Sequence, residues 1–306
     1  MDKLQAMRSF VRVVEAGSFS AVAEEANTSQ SAISKQVAAL ERELGARLLT
    51  RTTRSLALTE EGARYFEQAR RLVAEIAEAE SGVHAGAQEL TGLLRVAASV
   101  GFGRLKLMPL VQSFLAQHRG VSVDLRLSDG FVDLIEQGID VAVRLGELRD
   151  SSLVARRIGT TRRWLIAHRS YLRRLPKGVK APKVPADLAQ HNCLVYTELP
   201  WRNAWTLTAG PGAPEPVGTA RTVRVTGNLQ TNSSEVIRAS VLAGMGIGFS
   251  PTWLFEEELA RTEVEHLLPD WEAAAIPIHL VSPAERRQSA KVKAFAEHVA
   301  QAMAAA

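Results

Sequence analysis

The sequence predicts an α/β protein in three parts: a small helical N-terminal domain closed by a two-stranded wing, a long linker helix, and a larger domain of alternating strands and helices. Three patterns carry that expectation. Residues 29–59, SQSAISKQVAALERELGARLLTRTTRSLALT, set an amphipathic helix with a polar outer face directly before an arginine- and threonine-rich hairpin. Residues 66–90 repeat apolar positions at alternating gaps of three and four. From Leu93 onward, runs of period two alternate with runs of helical period. With 306 residues, 46% of them hydrophobic and 23% charged, the chain is long and apolar enough for a small domain plus a larger one with a sizeable core.

In chain order, Leu4, Met7, Val11 and Val14 give a first amphipathic helix, and Ser18-Phe19-Ser20 opens a short second one through Ala26. Asn27-Thr28-Ser29 makes a turn, with Ser29 placed to cap a third helix. There Ile33, Val37, Leu40 and Leu44 recur at intervals of four, three and four, which buries one stripe and leaves Ser31, Ser34, Lys35, Ala38 and Arg42 on other faces. Arg51, Thr52, Thr53 and Arg54 follow, then the alternation Leu56-Ala57-Leu58. This is the order of a winged helix-turn-helix, which sets one helix in a DNA major groove and a basic hairpin on the adjacent phosphates. Ser29, Gln30, Ser31, Ser34 and Lys35 are then the expected contacts at the helix start, and Arg51, Thr52, Thr53 and Arg54 those of the wing. On the residues alone a plain helical bundle, with Lys35 and Arg51 merely solvated, is the other reading.

Across residues 17–62 the chain resembles the N-terminal domain of LysR-type transcriptional regulators. The resemblance rests on Gly17-Ser18-Phe19, Ala23, Ser29-Gln30, Ala32, Ser34, Leu40-Glu41, Leu44-Gly45, Leu48, Arg51 and Leu58-Thr59-Glu60-Glu61-Gly62. Ala26 and Thr28 depart from it where the family usually has larger apolar residues, and so does Leu49 where Phe is common. The resemblance implies a bacterial regulator of transcription rather than an enzyme. It would bind double-stranded DNA as a homodimer or homotetramer, with RNA polymerase as a further partner.

The linker helix starts at Thr59, with Glu60 and Glu61 favourably placed in its first turn, and runs towards Glu89 without proline. Phe66, Ala69, Val73, Ile76, Glu80, Val83, Ala87 and Leu90 keep a period near 3.5, interrupted only by Glu80. Such a stripe fits a coiled-coil seam with another helix, and packing against the C-terminal domain is the alternative. The resemblance favours a dimerisation seam through Phe66, Ala69, Val73, Ile76 and Val83.

Beyond Gly92, strands are expected at residues 93–99, 121–127 and 139–145, with a helix at 104–118 and a short helical piece at 132–137. Further strands are expected at 163–167, 194–196, 223–229, 247–249 and 276–282, with helices from Ser234 and from about Arg287 to Met303. The same resemblance extends here through SVGFGR, VSVDLRLSDG, GIDVAVRLGEL and NSSEVIRASVLAGMGIGFSP. It implies a two-lobed α/β effector domain similar to periplasmic solute-binding proteins, with a small molecule in the cleft. The expected division is residues 1–58 for the DNA-binding domain, 59–90 for the linker and 91–306 for the effector domain. Crossovers near residues 159–163 and 267–275 give lobe I about 91–160 plus 267–306, and lobe II about 161–266.

Ligands of α/β sheets bind beyond the carboxyl ends of strands, where helix starts present unpaired N–H groups to anions. Ser99-Val100-Gly101-Phe102 and Asn232-Ser233-Ser234 are such junctions, and they point to a small anionic metabolite. Ser128, Asp129, Phe131, Arg144, Thr197 and Trp201 are the expected walls. The serines can equally be plain helix caps, and Arg144 a structural ion pair.

Other chemistry finds little support. A formal charge of +4 is compatible with DNA binding but weak evidence for it. MDKLQAMRSF lacks the apolar core of a signal peptide, and the uncharged stretch at residues 239–255 is broken by Gly244, Gly246, Gly248 and Pro251. A cytoplasmic protein with no membrane association is expected. Cys193, the single cysteine, excludes an internal disulfide and reads as a buried structural thiol. The seven histidines show no metal-ligand spacing, and neither a nucleophile elbow nor a P-loop occurs, so no metal or cofactor is expected. The glycines of Gly244-Met245-Gly246-Ile247-Gly248 follow a helix and precede a strand, the reverse of a dinucleotide-binding loop. A solute-binding or enzymatic α/β domain with an incidental helical bundle is the competing class, and DNA binding discriminates the two.

Overall fold

The computed structural model describes residues 2–51, 56–83, 90–148 and 153–304, with side chains excepted at 51, 74, 75, 77–83 and 288. Two compact units divide the chain, Met1–Glu89 and Leu90–Ala306.

In the first unit the elements are α1 (Lys3–Ala16), α2 (Phe19–Glu25), α3 (Gln30–Leu44), the antiparallel pair β1 (Leu49–Arg51) and β2 (Leu56–Leu58), and α4 (Glu60–Val83). Each of the first three helices starts on a side-chain cap: Asp2 accepts from Gln5 N–H at 3.1 Å, Ser18 from Ala21 at 3.3 Å and Ser29 from Ala32 at 3.2 Å. Phe10, Val13, Ile33, Val37, Leu40 and Leu48 form the core beneath them. Leu49 is buried there too, while Ala26 and Thr28 are exposed, so their small side chains cost the core nothing. Thr59 joins wing to linker: its hydroxyl donates to Arg47 O at 2.6 Å and accepts from Gly62 N at 2.8 Å. A Cβ at residue 62 would lie 1.9 Å from the Leu48 carbonyl oxygen, so this approach requires glycine.

The expected seam is corrected at Ala69. Ala69 is fully buried in the protomer's own core, with Phe66 and Val73 packed against the same cluster. Phe10 of α1 meets the Phe66 ring edge-on at 6.3 Å. Leu72 (43% exposed) and the half-buried Ile76 are apolar positions of α4 outside that cluster. The side chain of Val83 lies outside the described residues.

The second unit contains β3 (Thr91–Ala98), α5 (Val100–Phe102), a π turn (Gly103–Leu107), α6 (Met108–Gln117), β4 (Gly120–Leu127), β5 (Val141–Leu145), β6 (Leu153–Thr161), β7 (Arg163–His168) and α7 (Arg169–Arg173). It continues with β8 (Cys193–Tyr196), β9 (Ala204–Ala209), β10 (Ala220–Arg224), β11 (Gln230–Thr231), α8 (Ser234–Leu242), β12 (Ile247–Pro251) and α9 (Glu256–Ala260). The last elements are β13 (Val264–Leu267), β14 (Trp271–Glu272), β15 (Ile276–Pro283) and α10 (Ala290–Ala304). They build two five-stranded mixed sheets, ordered β4-β3-β5-β15-β6 and β11-β8-β12-β7-β13, and a small sheet β10-β9-β14. The chain leaves the first large sheet at Arg162 and returns between Leu268 and Ala275, giving a two-lobed α/β unit.

Several local expectations need correction. The helix expected at 104–118 begins earlier, at Val100, and widens into the π turn just before Pro109, whose missing N–H opens the regular ladder. Residues 132–137 form a turn rather than a helix. Asp133 ties down the N–H groups of Ile135 and Glu136 at 2.9 and 3.0 Å, and Gly138 exits with φ 64°. The strand expected at 223–229 is instead the end of β10 and a loop. Gly227 lies so close to Cys193 that a Cβ would come within 2.0 Å of its carbonyl oxygen. After α8, Gly244 takes φ 68° and the chain enters β12, as a helix stop should. Among the described residues no helix is long and apolar enough to cross a membrane.

Candidate nucleic-acid interface and effector site

On α3 the apolar stripe Ile33-Val37-Leu40 is buried, and this orients Gln30, Ser31 and Lys35 to the exposed side. Ser29 is exposed but occupied, since its hydroxyl caps Ala32 and lies 3.0 Å from the Ser31 hydroxyl. Ser34 is half-buried. Two anchors fix the helix. Ser9 on α1 donates to Gln36 at 2.6 Å, and the Glu41 carboxylate accepts from Leu48 and Leu49 N–H at 2.8 and 3.2 Å. The second pair ties α3 to the start of the wing's first strand. Arg51 closes β1 opposite Leu56; its side chain, and residues Thr52, Thr53 and Arg54, lie outside the described residues.

In the second unit the two junctions are brought together, but by a protein carboxylate. Asp129 accepts from Val100 N–H at 2.9 Å, from Ser234 N–H at 2.6 Å and from the Ser234 hydroxyl at 2.8 Å. Thus Asp129, which follows β4 of the first lobe, bridges the start of α5 in its own lobe to the start of α8 in the other. The N–H groups of Val100 and Ser234 are therefore satisfied within the protein, as is that of Ser233 by the Thr231 hydroxyl at 3.1 Å. Arg104 reinforces the tie through Glu235 at 3.0 Å, as does Lys106 through Glu256 at 2.5 Å. Phe102 is not a ligand wall either: its ring is 1% exposed and packs edge-on against Trp253 at 5.4 Å. Gly101 is buried, and a Cβ there would be 3.1 Å from Leu254.

The remaining expected residues divide. Arg144 donates to Val132 O at 2.6 Å and lies 4.9 Å from the Phe131 ring centroid; burial holds its pKa below the ordinary value. Those are structural contacts for Arg144, while Phe131 stays 83% exposed. Ser128 accepts from Gly130 N–H at 3.2 Å, closing its own turn. Ser233 caps α8 through Val236 N–H at 3.4 Å, whereas Ser99 makes no side-chain cap. Asn232 is exposed, and Thr197 is held by its backbone N–H to Thr231 O at 2.9 Å. Trp201 is half-buried, tilted against Phe249 at 5.7 Å, with the guanidinium of Arg163 5.4 Å from its ring centroid.

Sequence reasoning missed Arg163 and Tyr196. Burial is the first cause of the raised pKa of the Tyr196 hydroxyl, with Asp129 and Glu198 adding to it and Arg163 opposing. The adjacent pair Arg162-Arg163 at the expected crossover was the available signal. Cys193 is buried, and burial pushes its thiol up to about 12, which leaves no thiolate for chemistry near neutral pH. Among the described residues no group of three His, Cys, Asp or Glu side chains is arranged to hold a metal ion.

A winged helix-turn-helix unit followed by a two-lobed α/β unit defines a DNA-binding regulator that carries its own effector domain. The family model described as bacterial regulatory helix-turn-helix protein, lysR family, matches residues 4–63, and the LysR substrate binding domain model matches residues 87–304. The chain belongs to the LysR-type transcriptional regulators, and it is a regulator, not an enzyme. It is 34% identical over 293 residues to the transcriptional activator AaeR of Escherichia coli, covering 96% of this chain and 91% of that protein. It is 33% identical over 302 residues to an HTH-type transcriptional repressor of Pseudomonas aeruginosa, covering 98% and 92%. The structure of CrgA, a LysR-type regulator from Neisseria meningitidis, matches 98% of both chains with a TM-score of 0.63 and 31% identity.

Proposed function

We propose that this regulator reads a specific duplex sequence with the first turns of α3 and grips flanking phosphates with the wing. The carrying observation is the exposed set Gln30, Ser31 and Lys35 on a helix whose opposite face is core and whose end is tied to the wing through Glu41. We assign Gln30 and Ser34 to base edges, and Arg51, Thr52, Thr53 and Arg54 to phosphates. In this reading the protein works as a homodimer or homotetramer on DNA transcribed by RNA polymerase. Leu72 and Ile76 of α4 carry the intersubunit contact, in place of Phe66 and Ala69. A small metabolite bound between the lobes acts by preferring one arrangement of the lobes over another, because a ligand shifts an equilibrium only by its differential affinity. The bridge from Asp129 to Ser234 is the contact that such a shift has to make or break.

Fluorescence anisotropy with specific and scrambled duplexes over a range of salt tests the DNA reading. Gln30→Ala is expected to lose about 1–3 kcal/mol of discrimination, the worth of a good base contact. Arg51→Ala and Arg54→Ala are expected to weaken both duplexes alike and to flatten the salt dependence. Four variants, including Ser34→Ala, that bind both duplexes as the parent does refute the assignment.

A further inference from the structure

The carboxyl ends of the parallel strands β11, β8 and β12 lie along one edge of the second lobe's sheet. Register puts Thr231 beside Tyr196, and pairs Pro251, the last residue of β12, with Arg163, the first of the antiparallel β7. Arg163 therefore stands at the ligand-facing edge of this sheet, next to the crossover at Arg162. The arginines on either side of β7 are matched with acids: Arg162 before it with Glu272, and Arg169 after it with Glu265 at 3.1 Å. Arg163 is different. Among the described residues no carboxylate pairs with it and no side-chain hydrogen bond is made by it. Its described interactions are the face of Trp201 at 5.4 Å and the electrostatic influence of the Tyr196 hydroxyl. Burial lowers its pKa from 12.5 to about 10. A guanidinium stripped of much of its water and given no counter-ion is a costly thing to keep, and a bidentate carboxylate removes the cost.

We propose that Arg163 is the receptor for the carboxylate of a small ligand, with one face of the guanidinium supported by Trp201 and the Tyr196 hydroxyl as a neighbouring donor. The assignment rests on the effector reading above and deepens it. The ligand's negative charge goes to Arg163, because the Asp129 carboxylate already occupies Val100 N–H and Ser234 N–H and repels a second anion there. Trp201 holds the guanidinium in place and leaves its N–H fork for the incoming group. A neutral amide of the same shape lacks the charge and offers two N–H donors where the fork needs acceptors.

Calorimetric titration of the full chain with sodium benzoate, sodium succinate and sodium acetate, each at constant ionic strength, tests this, with benzamide as the neutral match for benzoate. At least one carboxylate is expected to bind saturably, at least tenfold more tightly than its amide does, and Arg163→Gln is expected to weaken it at least tenfold. If Arg163→Gln melts below the parent, Arg163→Lys carries the comparison. It keeps the cation but loses the fork, and a smaller loss in the same direction is expected. Parent-like binding in the variants, or no saturable binding of any of the three carboxylates, overturns the proposal. Arg163-dependent binding that leaves the affinity for an operator duplex unaltered upholds the receptor and refutes the effector reading. An effector response that survives Arg163→Gln does the opposite.

Discussion

Replacing Asp129 with asparagine isolates the tie between the lobes. The carboxylate takes Val100 N–H on one oxygen and Ser234 N–H and hydroxyl on the other. Asparagine has one oxygen, so it keeps one of the two backbone donors and turns an NH2 group towards the other. One charge-assisted hydrogen bond is lost, worth about 1.5–3 kcal/mol. The favourable placement of a negative charge at the α8 start goes too, adding about 0.3–1 kcal/mol. If the partly buried setting leaves about 2 kcal/mol of this, opening of the junction becomes more than tenfold more frequent, since every 1.4 kcal/mol is a factor of ten. The Arg104–Glu235 and Lys106–Glu256 pairs and the Phe102–Trp253 contact remain, so the unit still folds. Hydrogen exchange read by mass spectrometry on peptides covering residues 99–107 and 232–242 is expected to speed up at least tenfold in Asp129→Asn, with peptides from α1 to α3 unaltered. Equal exchange in parent and variant at both junctions refutes the bridge.

Two further outcomes follow from the packing. Ile76→Lys puts a charge on the α4 stripe left outside the protomer's own core, and losing one buried isoleucine per subunit costs about 1.5–3 kcal/mol each. Sedimentation is expected to show the variant dissociating at concentrations where the parent is assembled, and unaltered assembly rules this face out. His266 stacks on Trp164 at 4.1 Å, and burial lowers its pKa below 6.5. Its folded form resists the proton that the unfolded chain accepts. Stability is therefore full above the unfolded value of about 6.5 and is lost as pH falls through the folded value, with His191 contributing in the same sense. His266→Phe keeps a stacked ring without the titration, so the drop in urea midpoint from pH 7 to pH 5 is expected to shrink. An equal drop in both proteins refutes the role of His266.

The sequence made the first unit legible almost residue by residue, because periodicity, caps and glycines all act locally. Ser29, Gly17 and Gly45 stand at helix ends, and Ile33, Val37 and Leu40 point inward. The same signal does not say what covers Ala69, which lies in the protomer's own core. An apolar stripe records that something covers it, and whether α1 or a second subunit does so is a tertiary fact. In the second unit the buried strands β3, β5 and β12 were readable as apolar runs. β6, with its charged residues, was not, because an edge strand paired only with β15 needs no apolar face on both sides. The junctions at Val100 and Ser234 were placed correctly as strand-to-helix starts. That Asp129 reaches both depends on contacts across 29 and 105 residues, which no local pattern encodes. Arg163 was hidden for the converse reason: what distinguishes it is the acid it lacks.

Sequence-specific DNA binding is the central claim, and a gel shift on the DNA flanking the protein's own gene tests it most directly. The full chain is expected to retard a duplex from that region in the presence of excess scrambled competitor, and Gln30→Ala to lose that selectivity while still shifting DNA at low salt. Retardation abolished equally by specific and scrambled competitor, with parent and Gln30→Ala indistinguishable, would contradict the account.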